Sequence, residues 1–205
     1  MQSDHPSATK ARILEAARVL FNEEGVGALS AVDIAAALGI SPGHLYYHFK
    51  GKPEILAVLA GACQDEVDLV LDAAARACRG EGATLETLWT HVHILVEEAW
   101  DGRFLHREAG ALVLRYPDIA ARLRRIAAAQ REALRGMLDA LAQAGAIAAP
   151  PEALDGLARV LVTAIAHHAL ELDLEGDPGP PRARLARAAA QIMGLVAAYA
   201  RPGRG

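Results

Sequence analysis

The chain has 205 residues, of which 53% are hydrophobic, 22% charged and 4% aromatic, and its formal net charge is −4 at pH 7. These proportions are typical of a soluble globular protein and exclude a chain that is disordered along most of its length. The acidic balance excludes broad, nonspecific affinity for nucleic acid, so any DNA binding must come from a local surface. Alanine is the most frequent residue, which favours helices over strands. We therefore expect an all-α fold.

The sequence favours a cytoplasmic protein. No stretch approaches the roughly 18 apolar residues that a membrane span needs, because Arg159 interrupts the best run. The N-terminus lacks the apolar segment of a secretion signal. Cys63 and Cys78 lie in one predicted helix, too far apart along its axis to form a disulfide, and are expected to be reduced.

Two residue types are confined to the N-terminal part of the chain. All three lysines, Lys10, Lys50 and Lys52, and all four serines lie within the first 52 residues. Such a break in composition indicates two functional regions. We predict a first domain at 8–54 and a second at 55–205.

The first helix is predicted over residues 8–24. Its apolar positions include Ile13, Ala17 and Phe21, which share one helix face, and Gly25 supplies a stop. This face is expected to pack against the helices that follow.

A second and a third helix are predicted from their end signals. Ser30 and Asp33 are spaced as a capping box at the start of the second helix, which extends to Leu38. Gly39 suits the left-handed residue that ends such a helix. Ser41-Pro42 then gives an N-cap followed by proline at the first helical position.

The short connection between these two helices predicts a helix-turn-helix arrangement. Leu45 and Phe49 are spaced i, i+4 on the second of them and are expected to face the core. The positions left facing outward are Gly43, His44, Tyr47 and His48, with Tyr46 at the edge.

Six further helices follow, separated by glycine and proline breaks. The predicted architecture is an N-terminal three-helix helix-turn-helix head followed by a C-terminal helical bundle. The further helices are predicted at 52–79, 84–100, 103–115, 118–144, 152–174 and 182–199.

The last two predicted helices each carry an apolar stripe that alternates three and four residues. Such a stripe suits helices packed at about 20°, and two pairs meeting across a twofold axis would form a four-helix dimer interface. An intrachain core is the alternative. The candidate interface residues are Leu157, Leu161, Ala164, His168, Leu185, Ala189, Ile192 and Val196.

The N-terminal quarter of the chain carries a long set of characteristic residues at fixed spacing. They run through Ala11 to Ala17, Leu20-Phe21, Gly25, Asp33 to Ala35, Leu38 to Ser41, Gly43, Leu45 to Phe49 and Lys52. In residue type and in spacing, this set resembles the TetR family of bacterial transcriptional regulators.

The resemblance implies a homodimer whose two heads enter successive major grooves of a palindromic double-stranded DNA operator. It also implies a helical body that binds a small-molecule effector of unknown identity, dimerises and releases DNA. We expect a repressor of this type, with no cofactor and no membrane partner.

Candidate DNA-contacting residues follow from the exposed start of the recognition helix and from the resemblance. Tyr47 and Lys52 have no evident packing role, whereas Ser30 and Ser41 are sufficiently explained as caps. Ala31 and Val32 stand where many relatives place a polar or basic residue, which argues against further contacts from the second helix. The DNA-binding candidates are Ser30, Ser41, Gly43, His44, Tyr46, Tyr47, His48 and Lys52.

The second region supplies only weak site signals. A ligand pocket combines a few polar and aromatic groups with aliphatic walls, although core packing explains each such residue equally well. The ligand-binding candidates are Trp89, His93, Trp100, Phe104, Tyr116 and His167.

Catalysis is not expected. Residues 39–43 formally match the G-x-S-x-G nucleophile elbow, but a helix precedes them instead of the strand that this elbow requires. No metal site is predicted, although His167, His168 and Glu171 have spacings compatible with metal binding. The alternative function is a helical ligand- or metal-binding module that has lost specific DNA readout.

Overall fold

The computed structural model describes residues 8–80, 83–176 and 179–201, and the predicted all-α class is confirmed. No strand occurs in these ranges, where an isolated bridge pairs Ile147 with Ala200. The helices are Ala8–Glu24 (α1), Ala31–Ala37 (α2), Pro42–His48 (α3), Lys52–Gly80 (α4), Leu85–Asp101 (α5), Arg103–Arg107 (α6), Ala109–Arg115 (α7), Pro117–Gln143 (α8), Pro151–Glu175 (α9) and Pro181–Ala197 (α10).

The chain divides into two compact units that interleave along the sequence. The head unit contains the described residues up to Cys63 together with Gly102–Arg122, and the body unit contains Gln64–Asp101 and the described residues from Leu123 onward. The segment 102–122, which the sequence-based boundary assigned to the second domain, therefore packs with the first three helices.

The head unit is built as its sequence signals predict. Ile13, Ala17 and Phe21 bury one face of α1, and Leu45 and Phe49 bury the inner face of the third helix and its C-cap. This apolar contact orients α3, because a seven-residue helix has little stability of its own.

The predicted helix at 103–115 is corrected to two short helices, α6 and α7. Glu108 lies between them with φ −109° and ψ 16°, outside the helical region. Its carboxylate accepts hydrogen bonds from backbone amides more than 80 residues away in the chain. Helical periodicity reports only local contacts, so this break is invisible to it.

The core of the body unit lies where α10 packs against α5 and α9. The predicted dimer-interface stripe is corrected by this packing. Its members already fill the core of the single chain, so their periodicity reflects intrachain burial. Buried are Leu157, Leu161, His168, Leu185, Ala189, Ile192 and Val196, whereas Ala164 is half-buried.

One helix, α9, is long and apolar enough to cross a membrane by length and composition alone. This corrects the expectation that no stretch approaches that limit. Its apolar residues include Leu161, Ile165 and Leu172, which are buried against the rest of the body unit. Core helices of globular proteins pass the same test, so length and composition alone are weak evidence of a membrane span.

Candidate functional site

Two serine caps hold the helix-turn-helix in place. The Ser30 hydroxyl accepts a hydrogen bond from the Asp33 amide (3.3 Å) and donates to the Asp33 carboxylate (2.6 Å), which also accepts from the Ser30 amide. These hydrogen bonds lower the pKa of Asp33. The Ser41 side chain accepts from the His44 amide at 3.2 Å. The predicted caps are confirmed; contacts of either serine with DNA stay a prediction.

The outward face of α3 carries a compact group of imidazole and phenol rings. The centroid of the His48 ring lies 5.3 Å from that of His44 and 5.1 Å from that of Tyr47. Tyr47 is 85% exposed and Tyr46 49% exposed, while Gly43 is also exposed. Exposed tyrosines beside two histidines place donors, acceptors and flat apolar surface together, which is what contact with base edges and phosphates requires.

Lys52 has a structural task that the sequence did not reveal. Its ammonium donates to the backbone carbonyls of Val26 (2.7 Å) and Leu29 (2.5 Å), and burial lowers its pKa. Two of its three N–H donors are therefore committed to the turn between α1 and α2. This corrects the premise that Lys52 lacks a packing role, whereas its contact with a DNA phosphate stays a prediction.

The same turn, residues 25–29, is held from its other side by Glu108. The Glu108 carboxylate accepts from the amides of Val26 (2.5 Å) and Gly27 (2.9 Å). Gly25 has φ +90°, and a Cβ built there would lie 2.6 Å from a Glu108 oxygen. Glu108 thus binds two backbone donors of the turn and Lys52 two of its backbone acceptors.

Asn22 links the end of α1 to α6. Its side-chain oxygen accepts from the Phe104 amide at 3.0 Å, and its backbone carbonyl accepts from the Arg107 guanidinium at 2.7 Å. The Phe104 ring lies 5.8 Å from the Phe21 ring in the same core. These contacts, like the Glu108 bonds, attach the segment 102–122 to α1 and the turn.

One basic residue near α3 was not among the sequence candidates. Lys50 is exposed and lies just beyond the helix, and its backbone amide donates to the Glu54 carboxylate. The sequence signal that could have identified Lys50 is the confinement of all three lysines to the first 52 residues. Lys50 is therefore an additional exposed basic residue beside the C-terminal end of α3.

The six ligand-binding candidates are divided between the head unit and the body unit, and their role in ligand binding stays a prediction. Phe104 lies in the core of the head unit, and Tyr116 lies half-buried in that unit beneath the Arg115 guanidinium. The others belong to the body unit. There Trp89 stacks on His93, and Trp100 lies beneath the Arg184 guanidinium. His167 is exposed, and its Nδ1 donates to the Thr163 carbonyl at 3.0 Å.

The body unit instead contains a cavity of about 770 Å³ between α4 and α8. Residue periodicity could not indicate it, because a cavity depends on how two distant helices pack. We call it the α4–α8 cavity. It is lined by Asp68, Leu71, Asp72, Ala75, Ala129, Glu132, Ala133, Gly136 and Met137.

A histidine-rich metal site receives no support from the described residues, since no three potential ligands converge there. His168 is buried, and its Nδ1 contacts the Ile165 carbonyl at 2.6 Å. Burial lowers the pKa of His168. The Ile165 carbonyl therefore accounts for Nδ1 of His168, whereas its buried Nε2 has no hydrogen-bond partner among the described residues.

The outward faces of α9 and α10 carry exposed apolar residues. Leu174 is 80% exposed, and Val160, Leu170 and Leu195 are exposed to smaller extents. Gly194 is also exposed, and a Cβ added to it would meet nothing within 4 Å. Exposed apolar side chains next to a small residue suit the close approach of another helix.

Comparison with known proteins assigns the family. A family model described as bacterial regulatory proteins of the tetR family matches residues 13–59, and a second, described as a bacterial transcriptional repressor, matches residues 67–204. The transcriptional regulator TtgR of Pseudomonas putida is 36% identical over 60 residues, 29% of either chain, and UidR of Escherichia coli K12 is 30% identical over 116 residues, 57% of either chain. The matches therefore span less than two thirds of these relatives.

Solved structures agree over nearly the whole chain. A TetR-family transcriptional regulator from Marinobacter aquaeolei VT8 is 26% identical with a TM-score of 0.83, covering 95% of this chain and 92% of its own. The ketosteroid transcriptional regulator KstR2 of Mycobacterium tuberculosis, at 20% identity and a TM-score of 0.73, shares the fold over 97% of this chain and 98% of its own. Because the repressor model alone matches more than half of the sequence, the chain belongs to the TetR family of bacterial transcriptional regulators.

Proposed function

We propose that the chain is a sequence-specific DNA-binding repressor that binds a palindromic operator as a homodimer. The observation that carries this proposal is the outward face of α3, where Tyr47 and His44 are exposed beside the half-buried His48, on a helix whose other side is anchored by Leu45. A rigidly capped helix with an exposed polar and aromatic face suits insertion into the major groove.

The residues divide into readout and positioning roles. His44 reads a base edge from the exposed start of α3, and Gly43 allows the backbone to approach DNA closely. Tyr46, Tyr47 and His48 contact phosphates or base methyl groups, with Ser30 and Ser41 adding contacts to their capping roles. Lys50 supplies a phosphate contact, because this exposed basic residue follows the C-terminal end of α3.

Dimerisation is proposed through the outward faces of α9 and α10. Leu174 and its apolar neighbours there would otherwise remain in water, and a twofold arrangement of these two helices buries them in a four-helix interface. Leu174→Asp is expected to shift the chain toward monomer in sedimentation, whereas Leu69→Asp, at a 68% exposed position on α4, is not. Equal sedimentation of both variants as dimers would contradict this interface.

Release of DNA is proposed to follow from a small molecule bound in the α4–α8 cavity. The first residues of α8 belong to the segment 102–122, which packs in the head unit, whereas later residues of α8 line the cavity, so displacement of α8 reaches the head through the backbone. Because coupling is reciprocal, operator DNA must weaken ligand binding by the same factor. Equal ligand affinity with and without operator would exclude this mechanism.

The proposed setting is the cytoplasm, where a regulator of this family meets DNA, and no catalytic role or cofactor is proposed. The family is one of transcriptional regulators and not an enzyme class. The acidic net charge fits a protein whose DNA affinity resides in α3 and its surroundings.

Selection from a random duplex library with the purified full chain tests the proposal directly. Enrichment of an inverted repeat with half-sites about one helical turn apart is expected. The absence of any enriched sequence, with a folded dimer that stays DNA-free at low salt, would favour a ligand-binding module without DNA readout.

A matched pair of variants separates DNA contact from folding. Tyr47→Ala should weaken operator binding, whereas Leu114→Ala, which alters an 88% exposed residue on α7 of the same head unit, should not. His44→Ala should relax preference at one base position, at a cost of about 1–3 kcal/mol for the preferred base. Uniform weakening on every sequence would make His44 a backbone contact.

A further inference from the structure

The α4–α8 cavity has the size of a small-molecule site and mostly aliphatic walls. Its volume of about 770 Å³ lies within the range of ligand pockets, roughly 300–1,000 Å³. Leu71, Ala75, Ala129, Ala133 and Met137 supply the apolar surface. These walls suit the hydrocarbon body of an organic molecule.

The charges on the lining are all of one sign. Asp68 and Asp72 lie on α4, and Glu132 lies on α8, so carboxylates stand on both walls. None of the nine described lining residues is basic. A ligand that enters this space therefore meets negative charge from both helices.

These three carboxylates have no protein partner among the described residues. The ion pairs of the body unit use other acids, such as Asp139 and Asp155 with Arg135. Asp68 and Asp72 are spaced i, i+4 on one helix, an arrangement of like charges that destabilises the helix. A bound cation would relieve this repulsion.

Gly136 leaves part of the α8 side of the cavity unfilled. A Cβ built on it meets nothing within 4 Å, so a larger side chain would fit there and fill the cavity. Glycine inside a helix is also unfavourable by about 1 kcal/mol relative to alanine. Space is thus kept at this position despite its cost to the helix.

We propose that the α4–α8 cavity binds a lipophilic organic cation, with Asp68, Asp72 and Glu132 receiving the positive charge and the aliphatic walls receiving its body. This inference rests on the proposed ligand-released repressor, for which it names the class of effector. A compact metal ion does not fit the observations, because no three described ligands converge. A large organic cation with a delocalised charge does fit a site in which separated carboxylates surround an apolar space.

Two probes of matched size and shape but opposite charge test the proposal. Tetraphenylphosphonium and tetraphenylborate are titrated calorimetrically into the full-length, DNA-free protein. The cation is expected to bind at least about 30-fold more tightly than the anion, a difference of about 2 kcal/mol divided among the three exposed carboxylates. Equal binding of the two ions, or no binding of the cation, would overturn the proposal.

Matched variants locate the binding. The triple variant Asp68→Asn, Asp72→Asn, Glu132→Gln should bind the cation about 30-fold more weakly. A control that removes the same net charge from exposed positions outside the lining should bind within about twofold of the parent. This control is Glu24→Gln, Glu86→Gln, Glu152→Gln.

Gly136→Leu tests the space independently of charge. It should weaken binding of the cation by filling the cavity while leaving the helix at least as stable, because leucine has the better helix propensity. Circular dichroism and the urea midpoint establish that each variant is folded. Unchanged cation binding in both the triple variant and Gly136→Leu would place the cation elsewhere and overturn the proposal.

Operator release is measured separately, so that the two proposals fail in different ways. The cation could bind in a way that depends on the carboxylates and still leave the operator complex intact. That result would support the assignment of the cavity and contradict the proposal that the bound cation releases DNA. Operator release by tetraphenylborate through the same cavity would support release by ligand and contradict the inferred ligand class.

Discussion

Replacing Glu108 with alanine removes one side of the clamp on the turn between α1 and α2. Its carboxylate accepts from the amides of Val26 and Gly27 at 2.5 and 2.9 Å, and the Val26 bond is partly buried. Hydrogen bonds to a charged group contribute about 1.5–3 kcal/mol each, and exposure of the Gly27 bond reduces its share. We expect Glu108→Ala to lower the free energy of unfolding by about 2–3 kcal/mol, a large part of the roughly 5–15 kcal/mol typical of a folded domain.

The assay is equilibrium urea unfolding at one fixed protein concentration, because association would otherwise shift the midpoint. A loss of that size corresponds to a fall of about 5–10 °C in Tm for a chain of this length. Amide hydrogen exchange gives the local readout, since protection of Val26 and Gly27 should fall more than that of the α1 core.

Glu108→Gln serves as the conservative control. The glutamine amide retains one acceptor oxygen but turns an NH₂ group toward the second backbone donor. The free energy of unfolding of Glu108→Gln should therefore lie between that of the parent and that of Glu108→Ala. A change below about 0.5 kcal/mol in Glu108→Ala, within the range of ordinary surface substitutions, would refute the reasoning.

Three further predictions concern the head caps, Lys52 and an acidic pair in the body. Ser30→Ala should cost about 1 kcal/mol in urea unfolding because it removes the capping box, and no measurable loss would contradict that role. Lys52→Met should cost about 1–3 kcal/mol by leaving two turn carbonyls unpaired. Its effect on the salt dependence of DNA binding should stay below that of Lys50→Ala, which flattens the slope by about one counterion; the reverse order would restore Lys52 as the phosphate contact. Burial, together with the nearby Glu66, Asp101 and Glu97, raises the pKa of Glu98 to about 7. The protonated form therefore stabilises the fold fully below about pH 4.5, and this stabilisation is lost as the pH rises through about 7. The full shift equals about 3 kcal/mol, which solvent screening of this partly exposed group reduces to about 1 kcal/mol. Glu98→Gln should lose less stability than the parent between pH 5 and 8, and identical urea midpoints for both proteins across this range would contradict the shift.

The roles of Lys52 and Glu108 explain how the head unit keeps its shape. Lys52 and Glu108 bind opposite backbone groups of residues 25–29, so the turn is fixed without a large apolar contact of its own. The adjoining α2 and α3 are each seven residues long. Helices this short depend on such tertiary contacts, because isolated helices of this length are marginal in water.

Local chemistry in the sequence determined the head. The caps Ser30 and Ser41, the left-handed Gly39 and the apolar spacing of Leu45 and Phe49 each act within one helical turn, so sequence spacing alone specified α2, α3 and the exposed face between them. The same local signals predicted the all-α class and the approximate helix bounds.

Tertiary structure alone decided which segment of the chain packs against each helix face. An apolar stripe such as that containing Leu161 and Ile192 reports that a face is buried, but not whether the covering helix belongs to the same chain. Lys52 and Glu108 act on a turn 23 to 82 residues away, and the α4–α8 cavity exists between helices distant in sequence. Such contacts depend on the three-dimensional path of the chain, and no periodicity in the sequence encodes them.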